Sequence, residues 1–228
     1  MLLYDLVNAK RAHFSPNSWR ARLALLHKGL AFEVRDVLFG DIPSISGSGG
    51  KLTIPTLSYD GQLVTDSWAI AQHLDTAFPD TPRLIPAGAE GHVLRFFQYW
   101  AQTTVHGGIA RLILKDLHDS LDPADQAYFR TSREKMYKTT LEDLQAGRED
   151  RVDAFRKSLQ PLRLALGHGP FISGEQPGYA DYLAFGGFMW ARVSSPFALL
   201  LADDPVHAWR ERCLDLYGGA ARQETVAY

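Results

Sequence analysis

The chain has one cysteine among its 228 residues, Cys213, so no disulfide can form within it. Small secreted folds held by cystines are thereby excluded. No apolar run reaches the length of a bilayer span, and the first residues do not combine a basic patch, an apolar core and a small-residue cleavage site. A cytoplasmic setting without membrane attachment is expected. An excess of one charge is missing too: 24 basic and 26 acidic side chains leave a net charge of −2, which gives no footprint for nucleic acid or an anionic surface. The eight histidines show no paired ligand spacing, so no metal is implied. Even "GSGGK", which has the look of a phosphate loop, fails: a Walker loop needs glycine where Ile45 stands and Ser or Thr where Leu52 stands.

What is present falls into two parts with different grammar. Up to about residue 80, short β-like runs alternate with helical ones: "LLYDLV", "SPNSWRARLALLHKGL", "AFEVRDVL", "TIPTLSYDGQLVT" and "SWAIAQHLDTAF". Asp60-Gly61 between two β-like runs is a hairpin signal. This order predicts a small α/β unit over residues 1–80. "PDTPRLIPAGA", with three prolines and a glycine over residues 79–89, reads as a linker. Residues 90–228 read as helical almost throughout. Val93, Phe96, Phe97, Trp100 and Thr104 recur as one face of a long helix. Val152, Phe155, Leu159, Leu162 and Leu166 mark another, and Asp122-Pro123 and Asp204-Pro205 each open a helix. The fold class expected is α/β followed by all-α.

Three short stretches carry candidate chemistry. Ser15 is placed to cap the first helix, with Pro16 where a missing N–H costs nothing. It is read either as a cap alone or as a cap that also serves an anion site, since the exposed N–H groups and the positive helix end favour negative charge. A capping hydroxyl accepts from the backbone and keeps its own proton free to donate. To be mostly ionised at neutral pH, a thiol near pKa 8.5 needs a shift worth about 2.7 kcal/mol. One hydrogen bond to a charged group supplies about 1.5–3 kcal/mol and the helix end about 0.3–1 kcal/mol, so no histidine base is required. Ile54-Pro55 precedes a strand, where base rates alone favour a trans bond. Thr65, Asp66 and Ser67 crowd a helix start, either as a capping cluster or as a second anion site.

Taken together in this order, "SPNSWRARLALLHKGL", "TIPTL", "DSWAIAQHLDTAFPD" and "FISGEQPGYADYLAF" resemble a cytosolic glutathione transferase over essentially the whole chain. Within that superfamily, "SPNSWRARLALLHKGL" and "LEDLQAGRED" are most similar to the serine-type bacterial lignin β-aryl-etherases and to the related fungal transferases that bind wood polyphenols. The resemblance implies a thioredoxin-like N-terminal domain over residues 1–80 that binds glutathione as co-substrate. It also implies a helical-bundle domain over residues 90–228 that lines a hydrophobic substrate site, and a homodimer. Ser15 matches the serine that hydrogen-bonds the glutathione sulfur, with Asn17 and Ser18 as assisting or alternative donors. Ile54 matches the residue whose backbone pairs with the cysteinyl part, and Pro55 the family's cis-proline. Asp66 and Ser67 match the pair that holds the γ-glutamyl end, and Lys51 is placed for the glycyl carboxylate. Asp181 matches a capping aspartate with a folding role, although Gly178 stands where Ser or Thr is usual.

The second substrate is expected between the helix carrying Phe96 to Lys115 and the mouth around His13 and Phe14. Tyr99, Trp100, Thr103, His106, Ile109, Ile113, Tyr182 and Trp190 are its candidate walls, many of them equally readable as core. Gly107-Gly108 beside His106 either make room for a flat ring or mark a kink or close helix packing. The reading is a glutathione transferase acting on aromatic electrophiles, extending to β-aryl ether cleavage with release of a phenol. The competing reading is a ligandin-like binding protein for aromatic or polyphenolic compounds.

Overall fold

A computed structural model describes residues 1–45, 52–226 and 228. Strand β1 (Leu2–Leu6) leads into helix α1 (Pro16–His27), which returns the chain to β2 (Glu33–Val37). β2 pairs parallel with β1, Leu3 lying opposite Val34. A short helix α2 (Ile42–Ile45) follows. The hairpin β3 (Thr56–Tyr59) and β4 (Gln62–Thr65) then adds antiparallel, giving the order β2-β1-β3-β4. Its turn residues Asp60 and Gly61 both take positive φ, 48° and 73°. That is the backbone twist which a two-residue hairpin favours and Asp-Gly supplies. Helix α3 (Ser67–Ala77) closes this unit, so a thioredoxin-like four-stranded sheet is flanked by helices.

The rest is helical: α4 (Ala89–Trp100), α5 (Gly107–Ser120), α6 (Pro123–Tyr137), α7 (Leu141–Gln145), α8 (Arg148–Ser158), α9 (Gln160–Leu166), α10 (Tyr179–Ser194) and α11 (Pro205–Leu214). The expected long helix is interrupted. A widened turn over Ala101–His106 separates α4 from α5 and buries Ala101, Val105 and His106. The stripe read on α4 also faces the other way: Val93 is 67% exposed and Phe96 72% exposed, whereas Phe97 and Trp100 stack on each other half-buried. Periodicity reports an apolar face but not what covers it. The run from Val152 to Leu166 likewise breaks at Leu159, between α8 and α9.

One close approach binds the two parts, and one buried carboxylate ties the helical part together. A Cβ on Gly186 of α10 would lie 2.2 Å from the carbonyl oxygen of Pro16, so only glycine lets α10 press against the first turn of α1. Asp181 is fully buried and accepts four N–H donors: Ile172 and Trp209 at Oδ1, and Ser173 and Gly178 at Oδ2. The glycine at 178 has a steric reason, because a Cβ there would meet Ser173 Oγ at 2.6 Å. Cys213 is buried in this core, and burial pushes its thiol pKa well above 9.0. No helix among the described residues is long and apolar enough to cross a membrane.

Candidate functional site

The segment leading to Ser15 is held from several directions. Asn8 Oδ1 accepts the amides of Lys10 and Ala12, and the loop folds back so that Val7 bridges His13. The His13 carbonyl accepts the Trp19 indole N–H at 2.8 Å. Ser15 then caps α1: its extended backbone precedes Pro16, and its Oγ accepts the Ser18 amide at 3.2 Å. The hydroxyl proton is left uncommitted among the described residues. Ser15 is only 4% exposed, so its cap is shielded from competing water.

A cavity of about 350 Å³ opens beside it, which is ample for one aromatic ring system. Its N-terminal wall is Leu6, Phe14, Ser15, Asn17 and Thr53-Ile54; Phe39 and Ile42 cover one side. Leu117 of α5, Tyr128, Phe129 and Arg133 of α6, and Trp190 of α10 form the helical wall. Phe39 is the hub of the aromatic cluster, its ring centroid 6.1 Å from Phe14, 5.7 Å from Tyr128 and 6.0 Å from Phe129. Asp125 fixes that hub across the domain boundary, accepting the amides of Phe39 at 2.8 Å and Gly40 at 3.1 Å.

The second anchor region runs from Ile54 to Ser67. The Ile54-Pro55 bond is cis, as the resemblance implies and against the base rate for such pairs. Among the described residues, no backbone partner engages the Ile54 amide or carbonyl. Pro55's carbonyl accepts the Asp66 amide at 3.3 Å. Asp66 caps α3 by accepting from Trp68 and Ala69, and it sits at φ 78°, a left-handed conformation that a non-glycine residue holds only under constraint. Ser67 is buried at the first position of α3, where its carbonyl accepts the Tyr179 hydroxyl at 2.9 Å. Behind it lies Arg20, also buried. Burial pushes its pKa down to about 10, while Tyr179 and Asp66 favour its charged form.

Placement of the expected residues is uneven. Ser15, Asn17, Ile54, Phe14 and Trp190 line one cavity, and Asp66 and Ser67 are tied to it through Pro55. Lys51 lies outside the described residues. Ser18 is fully buried and does not line the cavity; its amide is spent on the Ser15 cap. Most of the candidate wall lies away from the cavity, in keeping with the alternative reading of many of these residues as core. Tyr99 and Thr103 are exposed, Thr103 returning its hydroxyl to the Tyr99 carbonyl, and Trp100 packs on Phe97. Ile109 and Ile113 are core. Tyr182 is buried against α1, its hydroxyl 2.8 Å from His27 Nδ1.

His106 is buried too, with Nε2 3.2 Å from Arg20 Nη2 and 3.2 Å from the Leu183 carbonyl. Burial and the adjacent guanidinium push its pKa well below 6.5, so the ring is neutral. Arginine is an obligate donor, which assigns Nε2 as the acceptor and leaves the Leu183 contact to the other tautomer. Of the neighbouring glycines, Gly108 serves packing: a Cβ on it would lie 2.5 Å from the Phe155 ring, whereas one on Gly107 would make only an ordinary contact.

His13 points away from the cavity. Its Nδ1 lies 3.0 Å from Glu224 Oε2 and its Nε2 3.1 Å from Asp36 Oδ1. Sequence reading missed Phe39, Leu117, Tyr128, Phe129 and Arg133. The only sequence signal near them was Asp122-Pro123, which announced α6 but not which of its faces meets β2's loop.

A second cavity, of about 310 Å³, lies between α10, α11 and the C-terminal segment. Its arginines are committed: Arg210 and Arg222 to Glu211, and Arg192 to the carbonyls of Arg222 and Glu224. That leaves the cavity at Ser15 as the candidate site.

A thioredoxin-like sheet, a capped serine at α1, a cis-proline before β3 and an all-helical partner domain define the glutathione transferase class of fold. The chain belongs to the glutathione S-transferase family: the family's N-terminal domain matches residues 11–82 and its C-terminal domain residues 93–199. The family's co-substrate is glutathione. Glutathione S-transferase U19 of Arabidopsis thaliana is 25% identical over 200 residues, covering 86% of this chain and 79% of that protein. The glutathione S-transferase-like protein ustS of Aspergillus flavus is 24% identical over 205 residues, covering 78% of this chain and 74% of that one. Among solved structures, glutathione transferase GSTFuA3 of Phanerochaete chrysosporium superposes with a TM-score of 0.82 at 25% identity, covering 98% of this chain and 97% of its own. GSTFuA2 of the same fungus gives 0.76 at 29% identity, covering 97% and 94%.

Proposed function

We propose that this chain is a serine-type glutathione transferase acting on aromatic electrophiles, with Ser15 as the residue that holds the sulfur. One observation carries the reading: Ser15 Oγ takes the Ser18 amide and keeps its proton, at the positive end of α1 and on the lip of an aromatic cavity. Bound glutathione supplies the nucleophilic sulfur. The chain's share is to donate the Ser15 O–H to that sulfur and so favour its thiolate. The unpaired Ile54 backbone, Asp66 and Ser67 hold the tripeptide, and Asn17 borders the sulfur's place. Phe14, Phe39, Tyr128, Phe129 and Trp190 exclude water and align the electrophile, which adds to the stabilisation of the thiolate.

The substrate reading extends to β-aryl ethers whose reacting carbon adjoins a carbonyl, with a phenol as product. The cavity volume and its phenyl-rich walls suit one aryl ring. A homodimer in the cytoplasm completes the reading, and the exposed Val93, Phe96 and Tyr99 on α4 supply an apolar face for a second copy. Incubation with glutathione and an α-keto β-aryl ether should release the phenol, and Ser15→Ala should slow it at least about tenfold. Silence across aryl ethers, halonitroarenes and isothiocyanates, with dye displacement intact, would replace this reading with that of a binding protein.

A further inference from the structure

Among the described residues that line the cavity, Arg133 is the only charged one. Its guanidinium has no carboxylate partner among the described residues. Nη1 donates to the neighbouring Ser132 hydroxyl at 3.0 Å, and Cζ lies 4.8 Å from the centre of the Phe129 ring, one helical turn back. The other arginine of α6, Arg130, is by contrast paired with Glu134 and Glu142. Asp125, on the same helix but outside the lining, is already taken by the Phe39 and Gly40 amides. The indole N–H of Trp190, another lining residue, is buried with no acceptor among the described residues. A half-buried cation against aromatic rings, with a spare N–H nearby, is a wall that lacks an anionic oxygen.

We propose that Arg133 sets the substrate class of this cavity, selecting aryl compounds that carry a carboxylate. The proposal rests on the reading of the cavity as the electrophile site. Arginine suits the task because its planar fork meets a carboxylate through two parallel N–H bonds while its face stays on Phe129. Burial lowers the Arg133 pKa, yet an arginine so shifted remains charged at neutral pH and gains by meeting an anion.

The experiment is calorimetric titration of the full-length protein with 2-naphthoate and with neutral 2-naphthamide, each with and without saturating glutathione. The wild-type protein should bind the carboxylate at least about tenfold more tightly than the amide. Arg133→Met should bring that ratio close to one, and Arg133→Lys should keep part of it. Equal affinities in the wild type, or a ratio unchanged in Arg133→Met, would overturn the proposal. So would a weakened affinity of Arg133→Met for glutathione itself, which would assign the arginine to the tripeptide. Failure of the transferase reading registers separately, as an absence of glutathione binding, while the carboxylate-to-amide ratio is still read from the titrations without it.

Discussion

Glu224, near the end of the chain, clamps His13, two residues before the serine cap: Oε1 accepts the His13 amide at 3.2 Å and Oε2 lies 3.0 Å from Nδ1. The other ring nitrogen faces Asp36, so both nitrogens meet carboxylate oxygens, an arrangement that an imidazolium satisfies. Arg22 joins the group, 3.3 Å from Glu224 and 2.7 Å from the buried Asp5, the latter a close ion pair not aligned as a hydrogen bond. Burial raises the Asp5 carboxyl pKa against the pull of Arg22. The C-terminal segment is thus latched to the loop that presents Ser15.

This latch has a calculable pH window. Burial disfavours charge on both partners, but the bond with Glu224 and the Asp5 charge hold the His13 pKa above 6.5, and the bonds from His13 hold that of Glu224 below 4.5. The Glu224 contribution is present above 4.5 and is lost as pH falls through its lowered value. The His13 contribution is full below 6.5 and is lost as pH rises through its raised value. Between 4.5 and 6.5, Glu224→Gln should cost about 2 kcal/mol, or about 4–8 °C in Tm. Melting curves across pH should show that gap narrowing in alkali; a gap independent of pH would contradict the charged latch.

Asp125 should matter to the second substrate and not to the first. Asp125→Ala removes two charge-assisted bonds to a buried carboxylate, which costs about 2–3 kcal/mol, and releases the Phe39 hub from the cavity. Steady-state kinetics should show KM for an aromatic electrophile rising several-fold while KM for glutathione holds. A change confined to glutathione would mean that the loop after β2 serves the other half of the site.

Gly186 should tolerate no side chain. With the Pro16 carbonyl oxygen 2.2 Å from the point where an alanine Cβ would stand, Gly186→Ala must push α10 from the first turn of α1, at a cost of about 3 kcal/mol. Denaturant unfolding should show that loss, and activity should fall with it because Pro16 adjoins the cap. A variant as stable as the parent would mean that the two helices yield more readily than their packing implies.

Local signals were legible in the sequence where their cause is local. The Asp60-Gly61 turn and the caps at Ser15, Asp66, Asp122 and Asp204 depend on residues within a few positions, and each forms; the buried Asp181 is implied by the family resemblance instead, since one of its donors, Trp209, lies 28 residues away. The cavity wall was not legible, because Leu117, Tyr128 and Arg133 meet Ser15 only through the docking of two domains, and Phe39 is aimed at the cavity by Asp125 of the second domain. Helical spacing also cannot separate a face turned to the core from one turned to solvent, which is why Ile113 and Phe96 look alike in sequence yet differ completely in burial. The true setting of His13 was hidden for a related reason: its partner Glu224 lies 211 residues away.

The most direct test of the account is an ultraviolet titration of the glutathione thiolate bound to the wild-type protein and to Ser15→Ala. If the Ser15 hydroxyl and the α1 terminus stabilise the sulfur anion, the bound thiol should ionise about two pH units below the free value near 8.5, and Ser15→Ala should return it most of the way while glutathione stays bound. An identical ionisation in both proteins would contradict the assignment of Ser15 as the sulfur's donor.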